Sequence, residues 1–334
     1  EVYDQLRARD VALVAVDEDE TEGPGSPLVP TASWGYLRLR RALGHQLAEA
    51  ARLLPRFVAY LDAVGASTIT TDVALAWVQR PDADPGSSVW SRRMRVVRGF
   101  ARHMSGIDPA TQVPPADLVT HRRHRRTPFI YSRADVEALI NAVPRIVPTP
   151  LRAATVQTMI GLLAATGMRV GEVIALGRRD IDWADGVLVV TNSKFGKSRE
   201  VPLDPTTVEA LDGYAGVRDR WVRQPTSPAF FVSRRGTPVI YDNFLVTFRA
   251  LVGAAGVGAD SAVVPRVHDL RHSFAVRTLI RWYRAGEDVG ALLPRLSTYL
   301  GHLAPGYTYW YLSAVPELLD LAAARLDTAG GRRG

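Results

Sequence analysis

Val187-Leu188-Val189-Val190 and Glu200-Val201-Pro202-Leu203 are two short runs, and between them lies Asn192-Ser193-Lys194-Phe195-Gly196-Lys197-Ser198-Arg199. Both runs are too short for a helix, so the segment reads as two strands flanking a loop at a hairpin tip. Almost everything around it reads as helix. The expected fold class is mostly α with a small antiparallel sheet, an α+β arrangement. The loop also holds both lysines of the chain, which meets the rest of its need for positive charge with 39 arginines. Arginine stays protonated at any working pH, whereas a lysine ammonium can release a proton when its surroundings press it to. Lysine kept only here is either a proton donor or arginine-rich coding interrupted on an exposed hairpin.

Working outward, helices are expected at 151–166 and 169–176 before the hairpin and at about 206–220, 241–254, 267–284, 288–299 and 316–326 after it. Ser132 caps a helix through Ala142, and Phe230–Val232 is a candidate further strand. Residues 31–110 read as helices alone. Leu37, Leu43, Leu47, Ala50, Leu53 and Leu54 recur at helical steps, and Pro55 is expected to kink or restart that helix. Thr71-Asp72 reads as the cap of a short helix through Val78. A helix over about 88–104 carries Arg92, Arg93, Arg95, Arg98 and Arg102 around a stripe of Met94, Val97 and Ala101. Five arginines on one helix suit a phosphate-tracking face; a solvated face is the alternative.

Charge and composition bound the function. Residues 1–29 hold eight acids against Arg7 and Arg9, leaving 39 basic and 26 acidic residues in the body, +13 against +7 for the whole chain. Such an excess suits a polyanion, nucleic acid first. Cysteine is absent, which excludes disulfides, thiolate catalysis and cysteine-ligated metals. No apolar run spans a bilayer and no signal-peptide pattern is present, so a cytoplasmic protein without membrane attachment is expected. The organisation expected is an acidic flexible tail over 1–30, a helical domain over 31–115, a basic linker over 116–127 and a second domain over 128–330. The linker contains His121-Arg122-Arg123-His124-Arg125-Arg126, able to lie along a phosphate backbone or to serve as a solvated hinge.

Four separated segments carry polar residues of one chemical kind. They are Thr166-Gly167-Met168-Arg169-Val170-Gly171-Glu172, the lysine hairpin, His268-Asp269-Leu270-Arg271-His272, and Leu300-Gly301-His302 with Tyr311 nine residues on. Together they supply what a metal-free attack on a phosphodiester requires. Arginine forks bind non-bridging oxygens, a phenol attacks once its proton is accepted, and an acid protonates the leaving alkoxide. His268 and His272 also have metal-ligand spacing, with His302 as a third candidate, but Asp269 stands where the usual helical Glu would be, and no metal is expected. Arg169 could simply pair with Glu172 along a helix, and Tyr311 alone would be an ordinary core aromatic.

These segments resemble the tyrosine recombinases, or phage-type integrases, over about 127–325, with a weaker likeness to that family's helical DNA-clamping, or core-binding, domain over 31–115. The resemblance implies a C-shaped clamp on DNA and a catalytic set of Arg169, Lys194, His268, Arg271, His302 and Tyr311, with Glu172 and His272 in support. It implies that Tyr311 forms a 3′-phosphotyrosine, that Lys194 protonates the leaving oxygen, that His268 assists proton movement at the nucleophile, and that neither metal nor ATP nor any other cofactor is needed. The implied partners are double-stranded DNA carrying a specific recombination site, three further copies of the chain in a tetramer on paired sites, and accessory or partner recombinases. The C-terminal stripe Leu318, Leu319, Leu321, Ala322 and Leu326 is expected to dock on a neighbouring protomer or on its own domain. Two other functions remain open, a type IB topoisomerase and a non-catalytic DNA-binding relative. Tyr307 and Tyr309 are competing phenols.

Overall fold

The computed structural model describes residues 28–45, 47–82, 87–119, 126–191, 198–302, 306–314 and 317–323. Lys194, Lys197, Arg122, Arg123, Arg125 and the acidic tail through residue 27 lie outside the described residues. The chain divides into two compact units, one ending at Arg125 and the other beginning at Arg126.

The first unit is helical: α1 Leu28–Ala42, α2 Ala48–Ala63, α3 Thr71–Val78 and α4 Val89–Met104. Its core is built from Leu53, Leu54, Phe57, Leu61, Trp77, Val97 and Phe100. Pro55 does not restart a helix; α2 runs through it. The break falls earlier, where Gly44 and Leu47 take positive φ of 84° and 47°. A proline inside a helix removes one hydrogen bond, and here Leu53, Leu54, Phe57 and Val58 bury the flanking turns and hold them helical. The cap of α3 is Thr70 rather than Thr71, its hydroxyl accepting from the Val73 N–H at 3.2 Å.

Arg93 is a correction. It does not join the outward arginines of α4, because 93, 97, 100 and 104 fall on one helical stripe and that stripe is buried. Its guanidinium donates to both carboxylate oxygens of Asp82 at 3.0 and 2.6 Å and lies 5.5 Å over the Trp77 ring. Arg92 is half-buried and pairs with Glu49 at 3.5 Å, Arg98 is half-buried, and Arg95 and Arg102 are exposed.

The second unit carries α5 Arg133–Ile146, α6 Pro150–Thr166, α7 Val170–Ala175, β1 Ile181–Asp182, β2 Val187–Val190, β3 Arg199–Pro202, α8 Pro205–Trp221, α9 Tyr241–Ala255, α10 Asp269–Arg284, α11 Val289–Leu300 and α12 Gly306–Ala314. The three strands form one antiparallel sheet in the order β1-β2-β3, with Leu188 opposite Val201 and Val190 opposite Arg199. The third strand is therefore Ile181–Asp182. Phe230–Val232 forms no strand; its flanks make only the single bridges Gly177 to Ala229 and Val232 to Pro238. One core gathers α5 to α9 and the sheet, and a second gathers Ala275, Leu279, Leu293, Leu300, Tyr311 and Leu318. Residues 317–323 are helical, and Leu318 is buried in this second core while Glu317 pairs with Arg284 at 2.8 Å. Of the C-terminal stripe, Leu318 thus packs on its own domain, and Leu319 is exposed. Among the described residues no helix is long and apolar enough to cross a membrane.

Gly167 links α6 to the segment bearing Arg169. Its φ is +62°, and a Cβ there would sit 2.6 Å from Phe274 Cδ1. The left-handed conformation costs a non-glycine residue roughly 1–2 kcal/mol, and the ring must also move. Gly167→Ala is expected to lower the unfolding free energy of the chain by ~2 kcal/mol or more, read as a lower urea midpoint; an unchanged midpoint in urea unfolding would show that the link is free to adjust.

Candidate active site

Three arginines are placed by three different elements. Arg169 is the N-cap residue of α7, and Glu172, in the first turn, reaches back to accept the Arg169 backbone N–H at 3.0 Å, one arm of a capping box. Arg199 begins β3. Side chains alternate along a strand, so Arg199 shares the inward face of the buried Val201. Arg271 lies in the first turn of α10, where it is 3% exposed.

Glu172 joins the first two. Its Oε1 accepts from Arg169 Nη1 at 2.7 Å and Arg199 Nη1 at 3.1 Å, and its Oε2 accepts from Arg199 Nη2 at 2.7 Å. With the backbone bond, both oxygens receive two donors, which satisfies the carboxylate. Burial by itself would raise its pKa. The hydrogen bond from Arg199, the bond from the Arg169 backbone and the nearby guanidinium charge outweigh burial and hold it down at about 2.

The remaining donors of the arginines go to helix ends. Arg271 Nη1 donates to the Gly167 carbonyl at 2.8 Å and its Nη2 to the Leu300 carbonyl. Arg169 Nη2 donates to the Gly301 carbonyl at 2.7 Å and Arg199 Nε to the Tyr299 carbonyl at 2.7 Å. The C-terminal ends of α6 and α11 thus hand their unpaired carbonyls to cations, which also suits the negative pole of each helix. Gly301 closes α11 at φ +64°, and a Cβ there would crowd Arg199 Nη1 at 3.1 Å.

His302 follows Gly301. Its Nδ1 lies 2.8 Å from the Thr308 hydroxyl, and Thr308 is fully buried in the first turn of α12. That bond folds the chain back so that the His302 ring stacks near Tyr311, with centroids 6.5 Å apart and planes 24° apart. Tyr311 is 2% exposed, and its hydroxyl lies 2.9 Å from His272 Nδ1. Tyr309 is exposed, and the side chain of Tyr307 lies outside the described residues.

The imidazole beside the phenol is therefore His272, not His268. The two histidines meet edge to face at 4.8 Å between centroids. Burial first, then the Arg271 charge, pushes His268 down to about 4. Burial first, then His268 and the surrounding arginines, pushes His272 down to about 3. Both are neutral near pH 7. Asp269 is fully buried and paired with Arg266 at 2.8 Å. Among the described residues no three His, Cys, Asp or Glu side chains gather as a metal-binding group.

The site brings Arg169, Arg271, His268, His302, Tyr311, Glu172 and His272 into one region of the second unit. Sequence reasoning passed over Arg199 and Thr308 as site residues. The strand alternation of Arg199 with Val201 was a readable signal for the first; nothing local marked Thr308.

These shifts set an acid response. Glu172 falls from its usual 4.5 to about 2, so its contribution is complete above pH 4.5 and lost as pH falls towards 2, worth ~3 kcal/mol. The histidines fall from 6.5 to about 4 and about 3, so stability also declines as pH drops below 6.5. Unfolding midpoints are expected to be level near neutrality, to fall below pH 6.5 and to go on falling below 4.5, where the Glu172 share replaces that of the histidines. Glu172→Gln should lose ~3 kcal/mol at pH 7 and flatten only the lower stretch; a variant with unchanged stability at pH 7 would contradict this.

The profile of the phage integrase family matches residues 131–315. A putative integrase/recombinase of Sinorhizobium fredii is 42% identical over 299 residues, covering 87% of this chain and 95% of that protein. A tyrosine recombinase XerC of Roseiflexus sp. is 30% identical over 228 residues, 67% of this chain and 68% of its own length. Among solved structures, the Tn1549 transposon integrase in complex with transposon right end DNA aligns with a TM-score of 0.60 at 16% identity, over 89% of this chain and 98% of that one. A lambda integrase dimer bound to a COC′ core site aligns at 0.54 and 18% identity, over 83% and 94%. The solved structures support the fold, and the sequence matches go further: this chain belongs to the phage integrase family and is a recombinase of the tyrosine type.

Proposed function

We propose that the chain is a site-specific DNA recombinase that cleaves and rejoins strands through a 3′-phosphotyrosine. The observation carrying this reading is the convergence at the end of α11. Arg271 and Arg169 bind the carbonyls of Leu300 and Gly301, the two residues before His302, and His302 stacks near Tyr311. A phosphate beside Tyr311 would meet two cations and an imidazole.

In this scheme the Tyr311 oxygen bonds to phosphorus and the bond from phosphorus to the 5′ oxygen breaks. Arg169, Arg271 and His302 hold the non-bridging oxygens, where their charge counts most as a five-coordinate dianion forms. Lys194 protonates the departing 5′ oxygen, since its ammonium can titrate. His268 assists proton movement from behind His272. One ester replaces another, so the bond energy is kept for religation and neither ATP nor a cofactor enters. Strand exchange needs two duplexes, and the assembly proposed is a tetramer on paired sites. The solved Tn1549 and lambda integrases were both captured on DNA, which supports a duplex partner here. A cavity of about 760 Å³ beside His268 carries Arg126 and Arg249 in a largely apolar lining.

DNA found covalently attached to the full chain in cells expressing it, once sequenced, supplies a nicked suicide duplex. Tyr311→Phe should bind that duplex and form no denaturant-resistant adduct. Adducts at the normal level would move the nucleophile to another phenol.

Duplex affinity is expected to fall steeply with salt. Arg95→Ala with Arg102→Ala should reduce the slope of log affinity against log salt by ~1–2, and neutralising Arg122, Arg123, Arg125 and Arg126 should flatten it further. Arg93→Ala should leave the slope unchanged and lower the stability of the helical unit. A slope that changes with Arg93 alone would reverse the assignment of the α4 face.

A further inference from the structure

We propose that His272 is a catalytic residue that takes the proton of the Tyr311 hydroxyl. The proposal rests on the nucleophile reading above and deepens it. The carrying observation is geometric: Nδ1 of His272 lies 2.9 Å from the Tyr311 oxygen, within the range of a direct proton transfer. The contact is built rather than incidental. His272 is held between the edge of the His268 ring at 4.8 Å and the Trp310 ring at 5.6 Å, and Tyr311 is almost wholly buried in the core that includes Ala275 and Leu279 of α10 and Leu296 and Leu300 of α11.

The tautomer follows from the role. With its proton on Nε2, His272 presents the Nδ1 lone pair and the phenol donates to it. As the Tyr311 oxygen bonds to phosphorus, its proton passes to Nδ1 and His272 becomes an imidazolium. Religation runs in reverse: the proton returns to the Tyr311 oxygen as the bond to phosphorus breaks. No oxidant, metal or third reactant is required.

The groups facing His272 decide when it can act. They are His268 and Arg271 on its own helix, Arg266 just before it, and His302 and Tyr311 from the elements packed against it. Burial and these charges keep the ring neutral, so its lone pair stays free for the phenol. A phosphodiester held by Arg169 and Arg271 brings negative charge into this field, and the five-coordinate transition state brings more. Each favours the imidazolium. The ring is therefore a weak base in the empty site and a competent one beside DNA, which confines phenolate formation to the moment when phosphate is present.

The test uses the full chain and the nicked suicide duplex defined above. His272→Asn places an amide oxygen close to the Nδ1 position, so it can accept the phenol's hydrogen bond but cannot take its proton. Single-turnover cleavage should fall by roughly a hundredfold or more with unchanged duplex affinity, and the acid limb of the rate–pH profile should disappear. His272→Ala should be at least as slow and should recover part of its rate with added imidazole. Full-rate cleavage by His272→Asn, or slowed cleavage that keeps the acid limb, overturns the proton-acceptor role. Tyr311→Phe is run in parallel. If it is inert while His272→Asn is fast, only this proposal fails; if it still traps DNA, the nucleophile reading fails and the proposal with it.

Discussion

Two guanidiniums cannot be buried side by side unless an anion lies between them, and Glu172 is that anion. Its four hydrogen bonds tie the start of α7 to the first residue of β3. The same two arginines continue to the carbonyls of Gly301 and Tyr299 at the end of α11. One carboxylate therefore fixes the relative positions of three elements distant in sequence. A fully paired buried cluster is close to neutral in net stability, whereas removing one member costs ~3–5 kcal/mol by leaving its partners unpaired. Glu172 thus matters chiefly by selecting one arrangement.

Charge in this region is set against the direction of the helices. The C-terminal ends of α6 and α11 point carbonyls, the negative poles of their helices, towards the place where a phosphate would bind. Left bare, they would repel it. Arg271 covers the carbonyls of Gly167 and Leu300, and Arg169 covers that of Gly301. The interactions that terminate the helices are the ones that turn the site positive. The neutral histidines belong to the same balance, since a further positive charge among these arginines is unfavourable until an anion arrives.

In the helical unit, Arg93 shows how a basic helix divides its charge. It occupies the apolar stripe, with Asp82 and Trp77 replacing water around it, while Arg95 and Arg102 stay exposed. A count of arginines on α4 overstates what is available to a partner. The same stripe rule that predicted Met94 and Val97 as core places Arg93 with them.

Long periodic helices were legible in the sequence to within a few residues, because burial of one face imposes its period on the composition. Short or isolated features were not. The strand Ile181–Asp182 is two residues long, and the break at Gly44 rather than Pro55 depends on packing that holds a proline inside α2. The sequence by itself determined which segments carry the side chains of the proposed chemistry. His268 and Arg271 lie one helical turn apart, and the nine residues from His302 to Tyr311 allow one return of the chain. Only the tertiary structure decided which groups meet. Residues four apart share a helix face, and the resemblance pointed to His268 for the phenol with His272 only in support; the seating of α12 against α10 put Tyr311 on His272 instead. Arg199 likewise met Glu172 only when the sheet was laid beside α7. Spacing along a chain constrains a face; distance between faces is set by packing.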